Sequence, residues 1–350
     1  MKILITGSSG LVGSEAVETF SALGWQVFGV DNNMRALFFG EQGDTLWNLR
    51  RLKGRLKDFT HFDFDIRNRE AIFELFQQHR FHTVIHCAAQ PSHDKAREIP
   101  LVDFEVNALG TANLLEATRL FCPESVFILM STNKVYGDAP NELPLSELET
   151  RYEYARPEDF YGISESCRID RSYHSLFGAS KAAGDILAQE YGRTFGLKIG
   201  IFRGGCITGP SHSGVELHGF FSYLVKVALK NEKYTIYGYK GKQVRDQIHS
   251  RDLIRAMQAF AQKPRPGEVY NMGGGRENSA SFVVCIALIE KRIGRKILTV
   301  YKDENRKGDH ICYISDLRKF KNHYPEWSLT RTLDSIVDEL IKAESLKAKS

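Results

Sequence analysis

The chain alternates between two rhythms of apolar positions. Residues 1–5, 26–30, 83–89 and 125–130 are short apolar runs, each about the length of a buried strand. Between them, 14–23, 69–80 and 104–120 repeat apolar residues at helical spacing. Residues 59–65 read as a further strand that ends at an acid. Strands alternating with helices in this way predict an α/β fold, a doubly wound parallel sheet covered on both faces. Ligands of such sheets bind at the carboxyl ends of the strands. Gly7, Asp31, Asp65, Ala88 and Thr132 all fall at those ends.

Two stretches break the rhythm. Residues 32–55 have no clean period and read as a long loop with a short helix. Residues 139–173 are polar, rich in prolines and acids, and read as a long insertion. Regular signals resume with helices at 178–193, 220–230, 281–293 and 332–346 and strands at 198–203, 234–238 and 268–272. No internal repeat or low-complexity segment is present.

The sharpest local signal is Thr6-Gly7-Ser8-Ser9-Gly10-Leu11-Val12-Gly13, set between the first strand and the first helix. A dinucleotide site needs glycines in this context. Gly7 makes the tight turn, Gly10 lets backbone approach a pyrophosphate, and Gly13 lets helix and strand pack closely. The helix start, with Leu11 and Val12, offers unpaired N–H groups to phosphates. Asp31, directly after the second strand, is placed to accept from both hydroxyls of a ribose. An acid there repels a 2′-phosphate and favours NAD over NADP.

Composition narrows the classes. With 42% hydrophobic and 26% charged residues, the 350-residue chain has the make-up of a soluble globular protein with a large core. Its net charge of +4 is small, and no basic stripe marks it for nucleic acid. The six cysteines show no zinc spacing. They read as free thiols of a reducing compartment, and no metal is expected. No apolar run approaches membrane-spanning length, and the N-terminal one is too short for a secretory signal. A cytoplasmic location with no membrane partner is the expectation.

Together these residues resemble the extended short-chain dehydrogenase/reductase family, its nucleotide-sugar epimerases and dehydratases. The resemblance runs from Lys2 to about Trp327. It rests on the glycine turn, Asp65-Ile66-Arg67, His86-Cys87-Ala88-Ala89-Gln90, Asn107 with Gly110-Thr111, Ser180-Lys181, Arg203, Val244-Arg245-Asp246, and Arg306 with Asp309. Within the family, residues 131–138 and 241–246 are most similar to enzymes that epimerise C2 of a CDP-linked sugar. The resemblance implies a Rossmann-type sheet with a smaller C-terminal substrate lobe. Residues 1–208 would bind NAD, with later strands near 244–273 returning to that domain, and 209–350 would mainly bind the nucleotide-sugar. It implies NAD contacts from Gly7, Gly10, Leu11, Val12, Asp31, Asn32, Asp65, Ile66, Ala88, Ala89, Gln90, Asn107 and Lys181. Thr132, Asn133, Arg203, Gln243, Arg245 and Arg306 would hold the nucleotide-sugar, and Thr132, Phe177 and Lys181 would form the catalytic set. Read by itself, Thr132 also suits a strand-end threonine that satisfies a turn. His86 reads as a satisfied strand-end histidine. The family also implies a homodimer.

One departure stands out. The family's catalytic motif is Tyr-x-x-x-Lys, and here the matching stretch is Phe177-Gly178-Ala179-Ser180-Lys181. A phenol takes the hydroxyl proton as a hydride leaves; a phenyl ring cannot. Three functions stay open on the sequence: a nucleotide-sugar 2-epimerase; a 4-epimerase, dehydratase or decarboxylase on a UDP- or GDP-sugar; or a catalytically silent NAD-binding protein. If another group replaces the phenol, the polar candidates are Lys134, Tyr136, Tyr161, Glu165 and Cys167.

Overall fold

The computed structural model describes residues 1–216, 218–305 and 308–347. They divide into two compact units. The first comprises Met1–Val135, Leu176–Arg203 and Leu253–Tyr270, and the second Tyr136–Ser175 and the described residues of 204–252 and 271–347.

The first unit is built on a seven-stranded sheet. Its strands lie in the order Glu268–Met272, Lys198–Gly204, Val126–Thr132, Thr83–His86, Lys2–Thr6, Gln26–Val30, Phe59–Phe62. The ladders from Val126–Thr132 across to Phe59–Phe62 are all parallel, which is the predicted α/β doubly wound architecture. Strand order reverses between Lys2–Thr6 and Thr83–His86, the topological point where such sheets take their ligands. Unbroken apolar runs form these strands because both faces are covered: Ile3, Leu4, Ile5, Val84 and Ile85 are fully buried. Leu4, Phe28, Ile72, Phe76, Val84, Leu114, Phe127 and Ile199 share one core cluster.

Strand ends are shorter than the apolar runs suggest. Thr83–His86 stops before Cys87, whose N–H makes the ladder's last backbone bond, to the Thr6 carbonyl (3.1 Å), and irregular chain follows. Ala88 N–H then donates to the side-chain hydroxyl of Thr6 at 3.2 Å instead of to a backbone carbonyl of the ladder.

Residues 32–55 form two helices, Met34–Phe39 and Leu46–Arg55, and not a long loop with one short helix. The second helix buries Leu52 and ties Arg51 to Glu18 of the helix Leu11–Ala22 with two bonds of 2.7 and 2.9 Å. Asn33 braces the turn between them, donating to Asp44 and accepting from Thr45. The single helix expected at 104–120 is interrupted. It runs as Pro100–Phe104, a π-helical stretch Glu105–Leu109, and Gly110–Phe121. A one-residue insertion of this kind often marks a functional position, and Asn107 lies in it.

In the second unit, Val244–His249 pairs with Ser279–Ser281, Cys312–Tyr313 and Cys206–Thr208 in a four-stranded sheet, whereas Glu268–Met272 lies at the edge of the seven-stranded one. The polar insertion contains an antiparallel pair, Leu145–Glu147 with Tyr152–Tyr154. Leu224, Val225, Cys285, Ile289, Ile336 and Val337 share a core cluster of the second unit. All six cysteines are free thiols; Cys122, Cys285 and Cys312 are buried and the others half-buried. Among the described residues no helix is long and apolar enough to cross a membrane.

Candidate functional site

The glycine turn owes its shape to backbone approaching backbone. Gly7 has φ +67°, and a Cβ there would stand 2.8 Å from Ala88 N. A Cβ on Gly13 would lie 2.0 Å from the Gly7 carbonyl oxygen, so helix and strand meet only through glycine. Gly10 is the N-cap of the helix Leu11–Ala22 and gives its first turn no side-chain cap. The first-turn N–H groups, beginning at Leu11 and Val12, thus lack the side-chain partner that most helix starts have. This is a cradle for an anion such as a pyrophosphate.

Asp31 stands beside that cradle. Its carboxylate accepts from the backbone N–H of Ser9 (2.9 Å) and of Asn33 (2.8 Å). Burial pushes its pKa upward, and those two N–H groups work against the shift. Asn32 donates to Asp65 at 3.2 Å, so the ends of two neighbouring strands are joined. At Asp65 burial disfavours the charge, but Arg67, bonded through its side chain and backbone, holds the carboxyl below its ordinary range. Ile66 is buried beneath, against Gly110, where a Cβ would come within 2.6 Å of it.

The loop after Thr83–His86 is clamped from the π-helical turn. Gln90 N–H donates to Asn107 Oδ1 (3.0 Å), and Asn107 Nδ2 donates back to the Gln90 carbonyl (3.0 Å). The same Nδ2 reaches Ser180 Oγ at 3.1 Å, and Gln90 Nε2 donates to Asp103 at 2.6 Å. The residues on either side of Ala89 are therefore fixed by buried, satisfied bonds. His86 bonds Thr6 and Thr111 through its two ring nitrogens, at 2.7 and 3.0 Å. Burial pushes it down to about 3, so it is a neutral structural histidine, as expected.

The corner after Val126–Thr132 faces the start of the helix Leu176–Phe195. Lys181 is buried on that helix, four residues after Phe177, and its Nζ donates to the Met130 carbonyl at 2.8 Å. Burial pulls its pKa down to about 8. Thr132 Oγ1 accepts from Lys134 N–H at 3.2 Å, as in a strand-end turn, and lies 3.4 Å from Asn133 Oδ1. Phe177 is buried, and its ring packs on the His93 imidazole with centroids 5.1 Å apart. Arg203 is not an open guanidinium. It forks onto Asp185 with bonds of 3.0 and 2.7 Å, and Ser131 Oγ donates to the same carboxylate at 2.6 Å. Asp185 escaped the sequence reading, although it lies four residues after Lys181 on the same helix face. His93 escaped it too, and nothing local in the sequence distinguishes it.

The remaining candidates belong to the second unit. Gln243 Nε2 donates to the Tyr237 carbonyl at 3.1 Å. Arg245 is buried and pairs with Asp309 at 2.7 Å. Tyr136 donates to Asn271 Oδ1 (2.7 Å), and Glu165 accepts from Asn271 N–H (2.7 Å) with its pKa raised by burial. Tyr161 is exposed with Arg318 over its ring, and Cys167 is half-buried. Arg306 lies outside the described residues.

A family model described as GDP-mannose 4,6 dehydratase matches residues 4–340. The chain is 31% identical to the CDP-paratose 2-epimerase of Salmonella typhi over 341 residues, covering 94% of each. It is 28% identical to the UDP-glucuronate 4-epimerase of Thermodesulfobacterium geofontis, covering 97% of this chain and 98% of that one. Among solved structures, UDP-glucuronic acid 4-epimerase from Bacillus cereus, in complex with UDP-glucuronic acid and NAD, superposes with a TM-score of 0.79 at 25% identity. The match covers 99% of this chain and 100% of that one. The Thermus thermophilus UDP-glucose 4-epimerase complex with NAD gives 0.78 at 26% identity, over 99% of both chains.

Proposed function

The chain belongs to the GDP-mannose 4,6 dehydratase family, and from that premise we propose that it is an NAD-dependent nucleotide-sugar epimerase acting at C2 of a CDP-linked sugar. The observation that carries the choice of substrate is the likeness to a CDP-paratose 2-epimerase over nearly the whole length of both chains. The cofactor is NAD, with which the Bacillus and Thermus relatives were solved. The residues here fit it: a turn with glycine at positions 7, 10 and 13, and an acid, Asp31, beside it that disfavours a 2′-phosphate.

When bound, NAD supplies a reversible acceptor for a hydride from the sugar. The chain's own residues do the rest. Lys181 is assigned to the nicotinamide ribose, and its buried ammonium favours negative charge developing on the sugar oxygen. Thr132 positions that hydroxyl, Asn133 and Gln243 bind the nucleotide-sugar, and Arg245 and Arg306 hold its diphosphate because a guanidinium fork matches phosphate oxygens. Arg203, forked onto Asp185, acts at most through that pair. Asn32, Asp65, Ile66, Ala88, Ala89, Gln90 and Asn107 line the dinucleotide's path, which assigns NAD to residues 1–208 and the nucleotide-sugar mainly to 209–350.

A cytoplasmic homodimer is part of the proposal. Leu101, Phe104, Leu109, Leu120, Ile186 and Phe195 are exposed apolar side chains on or beside the helices expected to pair. Light scattering should give twice 39.7 kDa, and a stable monomer at micromolar concentration contradicts the pairing.

Incubation with CDP-, UDP- and GDP-sugars, followed by NMR of the products, tests the activity. A C2 epimer from the CDP-sugar is expected. Inversion at C4 or a stable keto product would replace this reading with the neighbouring ones in the family. No product from any of them favours the second reading, a silent NAD-binding protein, to which Phe177 points.

A further inference from the structure

Phe177 leaves the site without the phenol that its family uses to move a proton, and the structure packs a titratable ring against the Phe177 ring. We propose that His93 is the acid–base group of this site, taking over the proton transfer that a tyrosine at 177 would perform. This inference rests on the epimerase reading above.

The geometry begins with the ring pair. The imidazole of His93 and the phenyl ring of Phe177 are tilted by 55° with centroids 5.1 Å apart, a direct aromatic contact. His93 is half-buried, so its ring is neither sealed in the core nor loose on the surface. It opens the helix His93–Glu98, and its neighbour Ser92 caps that helix by accepting from Lys95 N–H at 3.2 Å.

A clamp then holds the two rings in register. Ser92 N–H donates to Gln90 Oε1 at 2.7 Å, and Gln90 Nε2 returns to the Ser92 carbonyl at 2.9 Å. Asn107 Nδ2 bridges the Gln90 carbonyl and Ser180 Oγ, and Ser180 Oγ donates to the Phe177 carbonyl at 3.0 Å. The segment carrying His93 and the helix turn carrying Phe177 and Lys181 are thus tied by one buried network. Groups held this way keep the tolerance that proton transfer requires.

The chemistry balances. The O–H bond of the sugar's C2 hydroxyl breaks, and its proton goes to an imidazole nitrogen. The electron pair left on oxygen forms the C=O bond as the C2–H pair leaves as hydride for the bound dinucleotide. On return of hydride to the other face of C2, the imidazolium gives the proton back to oxygen. Imidazole suits this exchange near neutral pH, where it both accepts and donates.

The test compares the native enzyme, H93Q and the double variant H93Q/F177Y with CDP-paratose as probe, following the C2 epimer by NMR. H93Q should lose turnover by about a hundredfold or more with little change in KM. Adding the phenol in H93Q/F177Y should restore at least about tenfold of it, a rescue that a structural role for His93 would not give. Retention of turnover within about threefold in H93Q overturns the proposal, as does a loss carried by KM that tyrosine does not rescue. On the native protein, the His93 ring resonances should shift when NAD and CDP-paratose are added together, and unmoved resonances also overturn it. If the native enzyme converts none of the sugar nucleotides, the epimerase reading falls first, and the role of His93 falls with it. That outcome is distinguished by involving no variant.

Discussion

The glycine turn and the Phe177 corner lie in the same unit but are built from different materials. The turn is almost pure backbone. Its shape comes from three glycines within seven residues, and a methyl group added at Gly7 or Gly13 would meet main-chain atoms at 2.0–3.0 Å. The corner is made of side chains drawn from five separate stretches: Gln90 to His93, Asp103 to Asn107, Met130 to Thr132, Phe177 to Asp185, and Arg203. Its parts are held by the buried Arg203–Asp185 fork and by the Asn107 clamp. Neither of those needs the side chain at 177. A backbone site tolerates almost no substitution, whereas a side-chain site can exchange its central residue while the frame around it stands. That is how a family member can carry phenylalanine at the catalytic position and keep the fold.

The largest expected effect probes the frame of the corner. Asp185→Ala leaves the Arg203 guanidinium buried without its carboxylate, and breaking a buried pair costs about 3–5 kcal/mol. The comparable ion pair beside the turn, Arg51–Glu18, is part-exposed, and Glu18→Ala should cost at most about 1 kcal/mol. Urea unfolding of both variants measures the contrast. Equal losses would mean that the corner is not held from within.

The turn is probed next. Gly13→Val forces a branched side chain against the Gly7 carbonyl, at the top of the usual overpacking range, about 3 kcal/mol or more. Dinucleotide retention should vanish with it. Phe177→Tyr, by contrast, should move stability by less than about 1.5 kcal/mol. If the two substitutions cost the same, the distinction between a backbone site and a side-chain site fails.

Beside the turn, the acid Asp31 is more tolerant than the glycines. Asp31→Ser should leave the fold intact and weaken NAD binding by about 1.5–3 kcal/mol, the worth of a charge-assisted hydrogen bond. Titration calorimetry against NAD and NADP measures it, and selectivity between the two should narrow. An unchanged NAD affinity would remove Asp31 from the ribose.

The same contrast explains what the sequence disclosed. The strand–turn–helix around Gly7 was legible because every determinant is local: an apolar run, glycines at fixed offsets, then helical spacing. Asp31 and Asp65 were both legible as strand ends, and the structure joins those ends through Asn32, which donates to Asp65 at 3.2 Å. The π-helical turn at Glu105–Leu109 was not legible, because one inserted residue hardly disturbs an apolar stripe. Nor were the two helices between residues 32 and 55, whose stability comes from the Arg51–Glu18 tie and the Asn33 brace more than from a clean apolar face. The meeting of His93 with Phe177 spans 84 positions and depends on a clamp that no local pattern encodes. Asp185 as the partner of Arg203 is the same kind of omission, since a buried charge declares its partner only in three dimensions.

The smallest expected effect is a pH dependence that belongs to the corner alone. In the folded chain burial holds the Lys181 ammonium at about 8, against an ordinary value of 10.5. Between those two values the unfolded chain binds more protons at this residue than the folded one. Stability therefore rises with pH across that window, through Lys181; below about pH 8 the full cost of burying the ammonium is present and does not change with pH. Other groups titrate in the same range, so the measurement is a difference. The urea midpoint of the native chain should climb relative to that of Lys181→Met as pH is raised from about 8 towards 10.5. Turnover should move the opposite way, falling above about pH 8 as the ammonium that favours the sugar's developing negative charge is lost. A midpoint difference that stays flat over this range would mean that the ammonium is as well solvated as a surface lysine. The corner would then be open to water where the glycine turn is closed, and the contrast between the two would be one of exposure and not of construction.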